Sequence, residues 1–289
     1  MGLQRSNVTI IHPDLGIGGA ERLIIDVALA LQNRGHRVTI YTSHRDKAHC
    51  FDEARDGTLD VRVRGNTLFP AHVCGRLHIL MAALRQLHLT VSLLGELGTR
   101  GTPDTTTIAT NDEEDGDDIF IVDQLPACVP FLKSFGRPRQ SRRQRILFYC
   151  HFPDQLLARR DEGGSLLRLA KVLYRFPFDW FEGWAMSASD RVVANSKFSR
   201  GVVRDVFGSD KLGDVEVVYP CVDMDSAVSV PEKVEEEPLW GGKKILLSIN
   251  RFERKKDMAL AIRAYNGLGA EKRKGTRLVI AGKNFCMNF

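Results

Sequence analysis

The sequence lacks the features of a membrane-spanning protein and those of a protein stabilised by structural zinc or disulfides. No stretch approaches the ~18 uncharged apolar residues of a transmembrane helix, and no two of the six cysteines have CxxC spacing. We therefore expect neither a zinc site nor disulfides. Cys128 and Cys150 fall in apolar context, as reduced thiols of a cytosolic protein do. No apolar segment of secretory-signal length opens the chain, so we expect the protein to stay on the cytosolic side.

A continuous stripe of positive charge is also missing. The formal net charge is +5 over 289 residues, and the basic residues gather in clusters such as Arg137 to Arg145 and Arg251 to Lys256. Nucleic-acid-binding domains usually carry a strongly basic face. The pattern favours an anionic small molecule or a lipid headgroup as the ligand, and it predicts no nucleic-acid partner.

Apolar runs of strand length recur in the first part of the chain, with helical stretches between them. This alternation predicts an α/β fold, in which helices cover both faces of a Rossmann-like parallel sheet. Helical spacing predicts a helix from Ala20 to Asn33, and Asn195-Ser196 predicts the cap of a helix from Lys197 to Phe207. The predicted strands are Val8–Ile11, Val38–Tyr41, Val61–Val63, Ile119–Val122, Ile146–Cys150, Val192–Ala194 and Val217–Tyr219.

Composition divides the chain into three parts. Residues 1–220 form the predicted first domain, in which the acidic, low-complexity segment 99–118 is expected to be a disordered loop. Prolines and charges mark residues 221–242 as a linker. Residues 243–289 offer only a strand, a helix and a strand, so we expect an incomplete start of a second Rossmann-like domain that cannot bury a core of its own.

Two segments raise the question of membrane contact. Leu68 to Leu97 is apolar with interspersed arginine and histidine, which suits a helix packed on the sheet or a helix lying in the bilayer interface. Met1 to Ser6 fits the N-myristoylation pattern, with Gly2 as the acceptor and Ser6 at the required offset. This short pattern also arises by chance.

A glycine-rich turn, Gly16 to Arg22, lies between a predicted strand and a predicted helix. A dinucleotide-binding turn needs a third glycine and an acidic residue at the end of the second strand. Here Glu21 takes the glycine position and Thr42-Ser43 end the strand, so NAD binding is not expected. Because N–H groups at a helix N-terminus favour phosphate, Gly18 and Gly19 predict a phosphate contact. The alternative is a tight turn without a ligand.

Two similar corners follow two other predicted strands. His12-Pro13-Asp14 and His151-Phe152-Pro153-Asp154 both fall at the carboxyl edge of the predicted sheet, where open α/β sheets bind ligands. Paired imidazoles and carboxylates would suit a polyhydroxylated substrate.

A charged cluster follows a strand-like run in the second part of the chain. Asn250 to Lys256 carries five charges in seven residues and comes directly after Ile245 to Ile249. The cluster either grips a polyphosphate or forms a solvated basic face that opens the predicted helix from Asp257 to Tyr265.

Four of these segments together resemble the mannosyltransferases of dolichol-linked oligosaccharide synthesis, which belong to glycosyltransferase family 4. The segments are Ile11 to Leu23, Ile146 to Asp154, Val193 to Phe198 and Leu247 to Lys256, and they follow the family's order from about residue 7 to residue 282. FYCHFPD and SINRFERKK are the most specific of the motifs. The resemblance implies a GT-B fold, in which the first Rossmann-like domain binds most of the acceptor and the second binds most of the nucleotide sugar.

The resemblance also implies a reaction. Such enzymes transfer mannose from GDP-mannose to Man(1)GlcNAc(2)-diphospho-dolichol at the cytosolic face of the endoplasmic reticulum, first α-1,3 and then α-1,6, with retention. We therefore expect GDP-mannose as a co-substrate, no metal or other cofactor, and a peripheral position on the membrane surface. Other mannosyltransferases of the same pathway are candidate partners.

Individual residues take their roles from the same resemblance. His151 is expected to contact the transferred sugar beside the reacting carbon. Arg251 and Lys256 are expected to neutralise the diphosphate leaving group, and the Gly18-Gly19 turn to approach the same phosphates. The acceptor-side candidates are His12, Asp14 and Asp154.

The resemblance stops at the end of the chain. Family 4 enzymes carry a later pair of glutamates that hold the donor ribose and sugar, and this sequence ends before that region. We therefore expect the 289-residue chain by itself to transfer no mannose. The alternatives are a non-catalytic fragment that binds the acceptor or a partner, and a family 4 transferase that uses another sugar nucleotide.

Overall fold

The computed structural model describes residues 5–73, 77–99, 116–136, 143–157, 165–221, 241–250, 252 and 256–282. The chain divides into two units, Met1–Asp223 and Met224–Phe289. Gly2, Arg251, residues 100–115 of the predicted acidic loop and residues 222–240 of the predicted linker lie outside the described residues.

A seven-stranded parallel sheet lies at the centre of the first unit, in the order β3-β2-β1-β4-β5-β6-β7. A strand is present at each of the seven predicted places, although the last one, predicted over Val217–Tyr219, is Glu216–Val217. The α/β fold class is confirmed. The ends of the predicted acidic loop need correction, because Thr99 belongs to a helix and Asp118 begins a strand. The strands are β1 (Asn7–His12), β2 (Arg37–Thr42), β3 (Asp60–Val63), β4 (Asp118–Asp123), β5 (Gln144–Cys150), β6 (Arg191–Ala194) and β7 (Glu216–Val217).

Helices cover both faces of this sheet and form two large cores, beside a small cluster of Leu23, Tyr149 and Val193. One core packs Ile24 and Ile25 against Ile10 and Ile40, and the other packs a second set of helices against the opposite face. The helices of the first unit are α1 (Gly19–Asn33), α2 (His78–Thr99), α3 (Val129–Phe135), α4 (Asp154–Leu157), α5 (Ser165–Ser187), α6 (Lys197–Phe207) and α7 (Ser209–Leu212), with a 3₁₀ turn at Asp52–Ala54. None of the helices in the described part of the chain is long and apolar enough to cross a bilayer.

The predicted free thiols are confirmed where the structure describes them. Cys128 and Cys150 are buried and form no disulfide. Burial raises the pKa of each thiol to about 12, because the thiolate would lose its hydration.

The helix predicted from Leu68 to Leu97 begins ten residues later than expected, at His78. Leu77 has a φ of 59°, which a right-handed helix does not contain, and Pro70 lacks the N–H that a continuing helix would use. Leu89 and Leu93 of α2 lie fully inside the core. The inner face of this helix therefore packs on the sheet.

The second unit is a parallel pair of strands with two short helices. Its elements are β8 (Lys244–Ile249), α8 (Met258–Asn266), α9 (Ala270–Lys274) and β9 (Thr276–Ala281). None of the described residues between 241 and 282 is buried. The strand, helix and strand of the prediction are present, and α9 is an element that the prediction did not include.

Candidate functional site

The order of the strands reverses between β1 and β4, which are neighbours in the sheet but far apart in sequence. Ligands of open α/β sheets bind outside the carboxyl ends of the strands at such a reversal. β1 ends at His12, β4 ends at Asp123, and His151 directly follows β5, the next strand along the sheet. The topology therefore brings these three residues to one edge.

Asp123 bridges the two histidines. Its Oδ2 lies 2.7 Å from Nδ1 of His12, and its Oδ1 lies 2.9 Å from Nε2 of His151. The second contact is close but bent away from hydrogen-bond geometry, so it is mainly electrostatic. The side chains of His12 and Asp123 have no exposed surface, whereas that of His151 is 24% exposed. His151 is thus the member of the cluster that a ligand can touch.

The Asp123 carboxylate is the negative centre of this cluster. Burial by itself would raise the pKa of Asp123, but the interactions with His12 and His151 outweigh burial and lower the pKa below its usual value. Asp123 is therefore ionised at neutral pH. A buried anion is stable only when it is paired, and the two imidazoles provide that pairing.

Buried contacts fix the segment that carries His151. The backbone carbonyl oxygen of His151 accepts a hydrogen bond of 3.0 Å from Oγ of Ser199. The buried carboxylate of Glu182 accepts hydrogen bonds from the backbone N–H groups of Asp154, at 2.7 Å, and Gln155, at 3.2 Å. Burial is the main reason that the pKa of Glu182 is raised to about 7. Both contacts are long-range, so the position of this segment depends on α5 and α6.

The acceptor-side candidates lie in different environments. His12 is enclosed, since neither its side chain nor that of its partner Asp123 has exposed surface. Asp154 pairs with Arg175, whose guanidinium lies 2.9 Å from the carboxylate. Asp14 is exposed and lies 2.9 Å from Nδ1 of His44. Asp14 and Asp154 are therefore already paired within the fold, and only His12 belongs to the cluster with His151.

The glycine-rich turn leaves the N-terminus of α1 open. Gly18 is the N-cap and has extended backbone, with a φ of −168°, and no side chain caps the helix. A Cβ at Gly16 or Gly19 would meet no atom within 4 Å, and a Cβ at Gly18 would meet only the flexible carboxylate of Glu21. The fold itself therefore does not require glycine at Gly16 or Gly19. The open space suits a ligand that approaches the free N–H groups of the first turn.

The charged cluster of the second unit is described in part. Lys256 is exposed and precedes Asp257, whose side chain caps α8 by accepting a hydrogen bond of 3.2 Å from the N–H of Leu260. The predicted helix after the cluster is confirmed, with its bounds shifted by one residue. Arg251 lies outside the described residues.

Two buried acids of the site, Asp123 and Glu182, are absent from the sequence prediction. Asp123 could have been recognised as a site candidate from the sequence, because it is a charged residue directly after the apolar run Ile119 to Val122, on the strand that adjoins β1. Glu182 could not have been recognised, since it lies within a helix and its partners are about 27 residues away. No group of three or more metal-ligating side chains arranged for a metal ion occurs among the described residues.

Residues 17–91 and 116–226 match the sequence profile of Glycosyltransferase Family 4. The chain belongs to glycosyltransferase family 4. The matched ranges include Gly18 and Gly19 of the glycine-rich turn, Asp123 and His151. The family predicted from the four motifs is therefore confirmed.

Curated relatives match nearly the whole chain. The α-1,3/1,6-mannosyltransferase alg-2 of Neurospora crassa is 45% identical over 96% of this chain and 55% of its own length. The α-1,3/1,6-mannosyltransferase ALG2 of Saccharomyces cerevisiae is 40% identical over 96% of this chain and 50% of its own length. The chain spans about half the length of the curated relatives it matches.

Solved structures of glycosyltransferases share the fold. The catalytic domain of starch synthase IV from Arabidopsis thaliana matches with a TM-score of 0.59 at 14% identity, over 98% of this chain and 69% of that one. WaaG, a glycosyltransferase of lipopolysaccharide biosynthesis, matches with a TM-score of 0.55 at 12% identity, over 96% of this chain and 64% of that one. At these identities the likeness concerns the fold alone, and it confirms the predicted GT-B class.

Proposed function

We propose that this protein is a retaining mannosyltransferase that uses GDP-mannose and Man(1)GlcNAc(2)-diphospho-dolichol, adding mannose first in α-1,3 and then in α-1,6 linkage. The observation that carries the proposal is His151, a partly exposed histidine that the buried Asp123 contacts at the carboxyl edge of a family 4 sheet. The curated relatives are named α-1,3/1,6-mannosyltransferases, which supports mannose as the sugar.

The chemistry of glycosyl transfer fits these residues. The transition state is oxocarbenium-like, so positive charge grows on the sugar while negative charge grows on the departing phosphate. In this proposal His151 lies beside the sugar, and its contact with the ionised Asp123 makes its ring electron-rich. In this proposal the Gly18-Gly19 turn, Arg251 and Lys256 stabilise the departing diphosphate.

The proposed diphosphate contacts are open to kinetic measurement. Fixed donors aimed at developing charge typically lower the barrier by about 3 kcal/mol each, a factor on the order of one hundred. We therefore expect Arg251→Ala or Lys256→Ala to lower kcat/KM for GDP-mannose about a hundredfold. This measurement needs the complete protein, by which we mean a chain that spans the full length of the curated relatives. Lys274→Ala is the matched control, since Lys274 is an exposed lysine that pairs with Glu271 on α9. Wild-type kinetics in both site variants would remove the assignment.

We further propose that the reaction needs no metal ion, because cationic side chains and helix N–H groups neutralise the leaving group. Transfer should then continue at an undiminished rate in excess EDTA. A rate that falls with EDTA and returns with Mg²⁺ or Mn²⁺ would contradict this part of the proposal.

A peripheral position at the cytosolic face of the endoplasmic reticulum membrane is part of the same proposal. An exposed apolar stripe on α5 supports it, because its members recur at three- and four-residue spacing and so share one face of the helix. Two of them, Trp180 and Trp184, stack with their ring centroids 6.2 Å apart. Tryptophan is enriched where proteins meet the membrane interface. The α5 stripe consists of Leu169, Leu173, Phe176, Trp180 and Trp184.

The donor sugar is tested by comparing two nucleotide sugars in separate incubations. The complete protein would be incubated with the lipid-linked acceptor and either GDP-mannose or UDP-glucose, and the products would be weighed by mass spectrometry. We expect two hexose additions from GDP-mannose and none from UDP-glucose. Transfer from UDP-glucose alone would instead favour a family 4 transferase with another donor, and no transfer from either would favour a non-catalytic binding protein.

A further inference from the structure

The bridge at Asp123 joins an enclosed histidine to an accessible one. We propose that His12 and Asp123 are positioning residues, which fix the ring orientation and the tautomer of His151 without touching the substrate. The proposal assigns to His12 a role different from contact with the acceptor, because its side chain has no exposed surface.

The tautomers follow from the charge of the bridge. An ionised carboxylate can only accept hydrogen bonds, so Nδ1 of His12, which hydrogen-bonds to it at 2.7 Å, must carry the proton. Nε2 of His151 lies 2.9 Å from the other carboxylate oxygen. The negative charge would repel a lone pair at that distance, so Nε2 must carry the proton as well. The neutral ring of His151 then keeps its lone pair on Nδ1. That nitrogen can accept a hydrogen bond from a sugar hydroxyl.

His12 is costly for the fold unless it serves Asp123. Its Nε2 is buried and has no hydrogen-bond partner among the described residues. A buried polar atom without a partner costs about 1–3 kcal/mol, and an apolar side chain after Ile10 and Ile11 would avoid that cost. The contact that distinguishes histidine from an apolar residue here is the one from Nδ1 to Asp123. Asp123 has only His12 as its hydrogen-bonded partner among the described side chains, since the contact with His151 is bent.

The positioning of His151 is independent of the proposed reaction, whereas its consequence for mannose transfer rests on the proposed function. The experiment therefore has one structural and one kinetic measurement. The structural measurement uses the 289-residue chain with ¹⁵N-labelled histidine, whose ring nitrogen shifts distinguish the two tautomers by NMR. The kinetic measurement uses the complete protein with GDP-mannose.

Three variants separate hydrogen bonding from packing. Asp123→Asn keeps the shape of the bridge and removes its charge. His12→Asn keeps a donor close to the position of Nδ1 but loses ring volume, whereas His12→Phe keeps the volume and loses the donor. If His12 only fills space, His12→Phe should behave more like the wild type than His12→Asn does.

We expect the neutral His151 ring of the wild type to carry its proton on Nε2, and His12→Asn to retain this preference. Asp123→Asn and His12→Phe should lose the preference and lower kcat about tenfold or more, while KM for GDP-mannose changes by less than about threefold. Three results would each overturn the inference. The first is a wild-type His151 ring protonated on Nδ1, and the second is an unchanged tautomer in Asp123→Asn. The third is a preference for Nε2 that His12→Phe retains and His12→Asn loses. If the tautomers behave as expected but the complete protein transfers no mannose, the proposed function fails and the positioning stands.

Discussion

The side-chain hydroxyl of Ser199 donates a hydrogen bond of 3.0 Å to the backbone carbonyl oxygen of His151, 48 residues earlier in the chain. Ser199 is buried, and its own N–H donates to Oγ of Ser196, the N-cap of α6. The first turn of α6 therefore holds the backbone of His151, while Asp123 contacts its ring.

Removing this hydroxyl should loosen the segment that carries His151. We expect Ser199→Ala to lower the free energy of unfolding by about 1 kcal/mol and to slow mannose transfer about fivefold, because the carbonyl oxygen of His151 loses its partner. Chemical denaturation and steady-state kinetics measure the two effects. Ser187→Ala is the control, since the Ser187 hydroxyl bonds a backbone oxygen at an exposed position. Equal rates in the two variants would show that the hydrogen bond does not position His151.

The fold of the first unit could be predicted in detail because local patterns determine it. Each strand is a short apolar run, and the predicted cap Ser196 accepts a hydrogen bond from Ser199 as expected. The start of α2 could not be predicted, since the apolar composition of Leu68 to Leu97 hides the left-handed backbone at Leu77. The composition of a segment indicates whether it favours a helix, but it cannot reveal that one residue in it has an unusual backbone conformation.

The sequence predicts individual residues of the site but not the contacts between them. His12 and His151 were both placed at the carboxyl edge, but their connection through Asp123 spans 111 residues of sequence between His12 and Asp123. Such a contact depends on which strands are neighbours, and the alternation of strands and helices does not specify their order. The strand reversal between β1 and β4 is what brings the three residues together.

Gly19 tests whether the glycine-rich turn approaches the donor. A Cβ at Gly19 would meet no atom of the protein within 4 Å, so Gly19→Val should keep the fold. The valine side chain should nevertheless block phosphate from the N–H groups and lower kcat/KM for GDP-mannose about a hundredfold. Gly95→Val is the matched control, because a Cβ at Gly95 in α2 also meets no atom within 4 Å. Normal donor kinetics in Gly19→Val would leave the turn with a structural role only.

Glu182 should make the stability of the first unit depend on pH. Burial raises its pKa from 4.5 to about 7 in the folded protein, so between these values the folded state holds a proton that the unfolded state has released. The free energy of unfolding should therefore fall as the pH rises from about 4.5 to 7, by at most on the order of 3 kcal/mol.

Urea denaturation at several pH values across this window measures the effect. Glu182→Gln should flatten the dependence, because the amide does not titrate. Asp123 does not interfere, since its lowered pKa removes stability only as the pH falls below its usual value of 3.8. An equally steep dependence in Glu182→Gln would assign the titration to another group.

The α5 stripe should govern attachment to membranes. Trp180→Ser or Trp184→Ser removes an exposed aromatic ring without opening the core, so each should weaken binding to liposomes about tenfold while leaving thermal stability nearly unchanged. Flotation with liposomes measures the binding. Val91→Ser is the comparison, because Val91 is an exposed apolar residue on α2, the helix that the sequence indicated. If Val91→Ser lost more liposome binding than the tryptophan variants, α2 rather than α5 would be the helix that contacts the membrane.

The measurement that tests the central claim most directly is mannose transfer by the complete protein carrying His151→Ala. The wild type should convert the lipid-linked acceptor to a product with two additional hexoses. His151→Ala should lower kcat about a hundredfold, because His151 is the one member of its cluster with His12 and Asp123 whose side chain has exposed surface. His44→Ala, which alters an exposed histidine paired with Asp14, should remain within about threefold of the wild type. Wild-type transfer by His151→Ala would contradict the account.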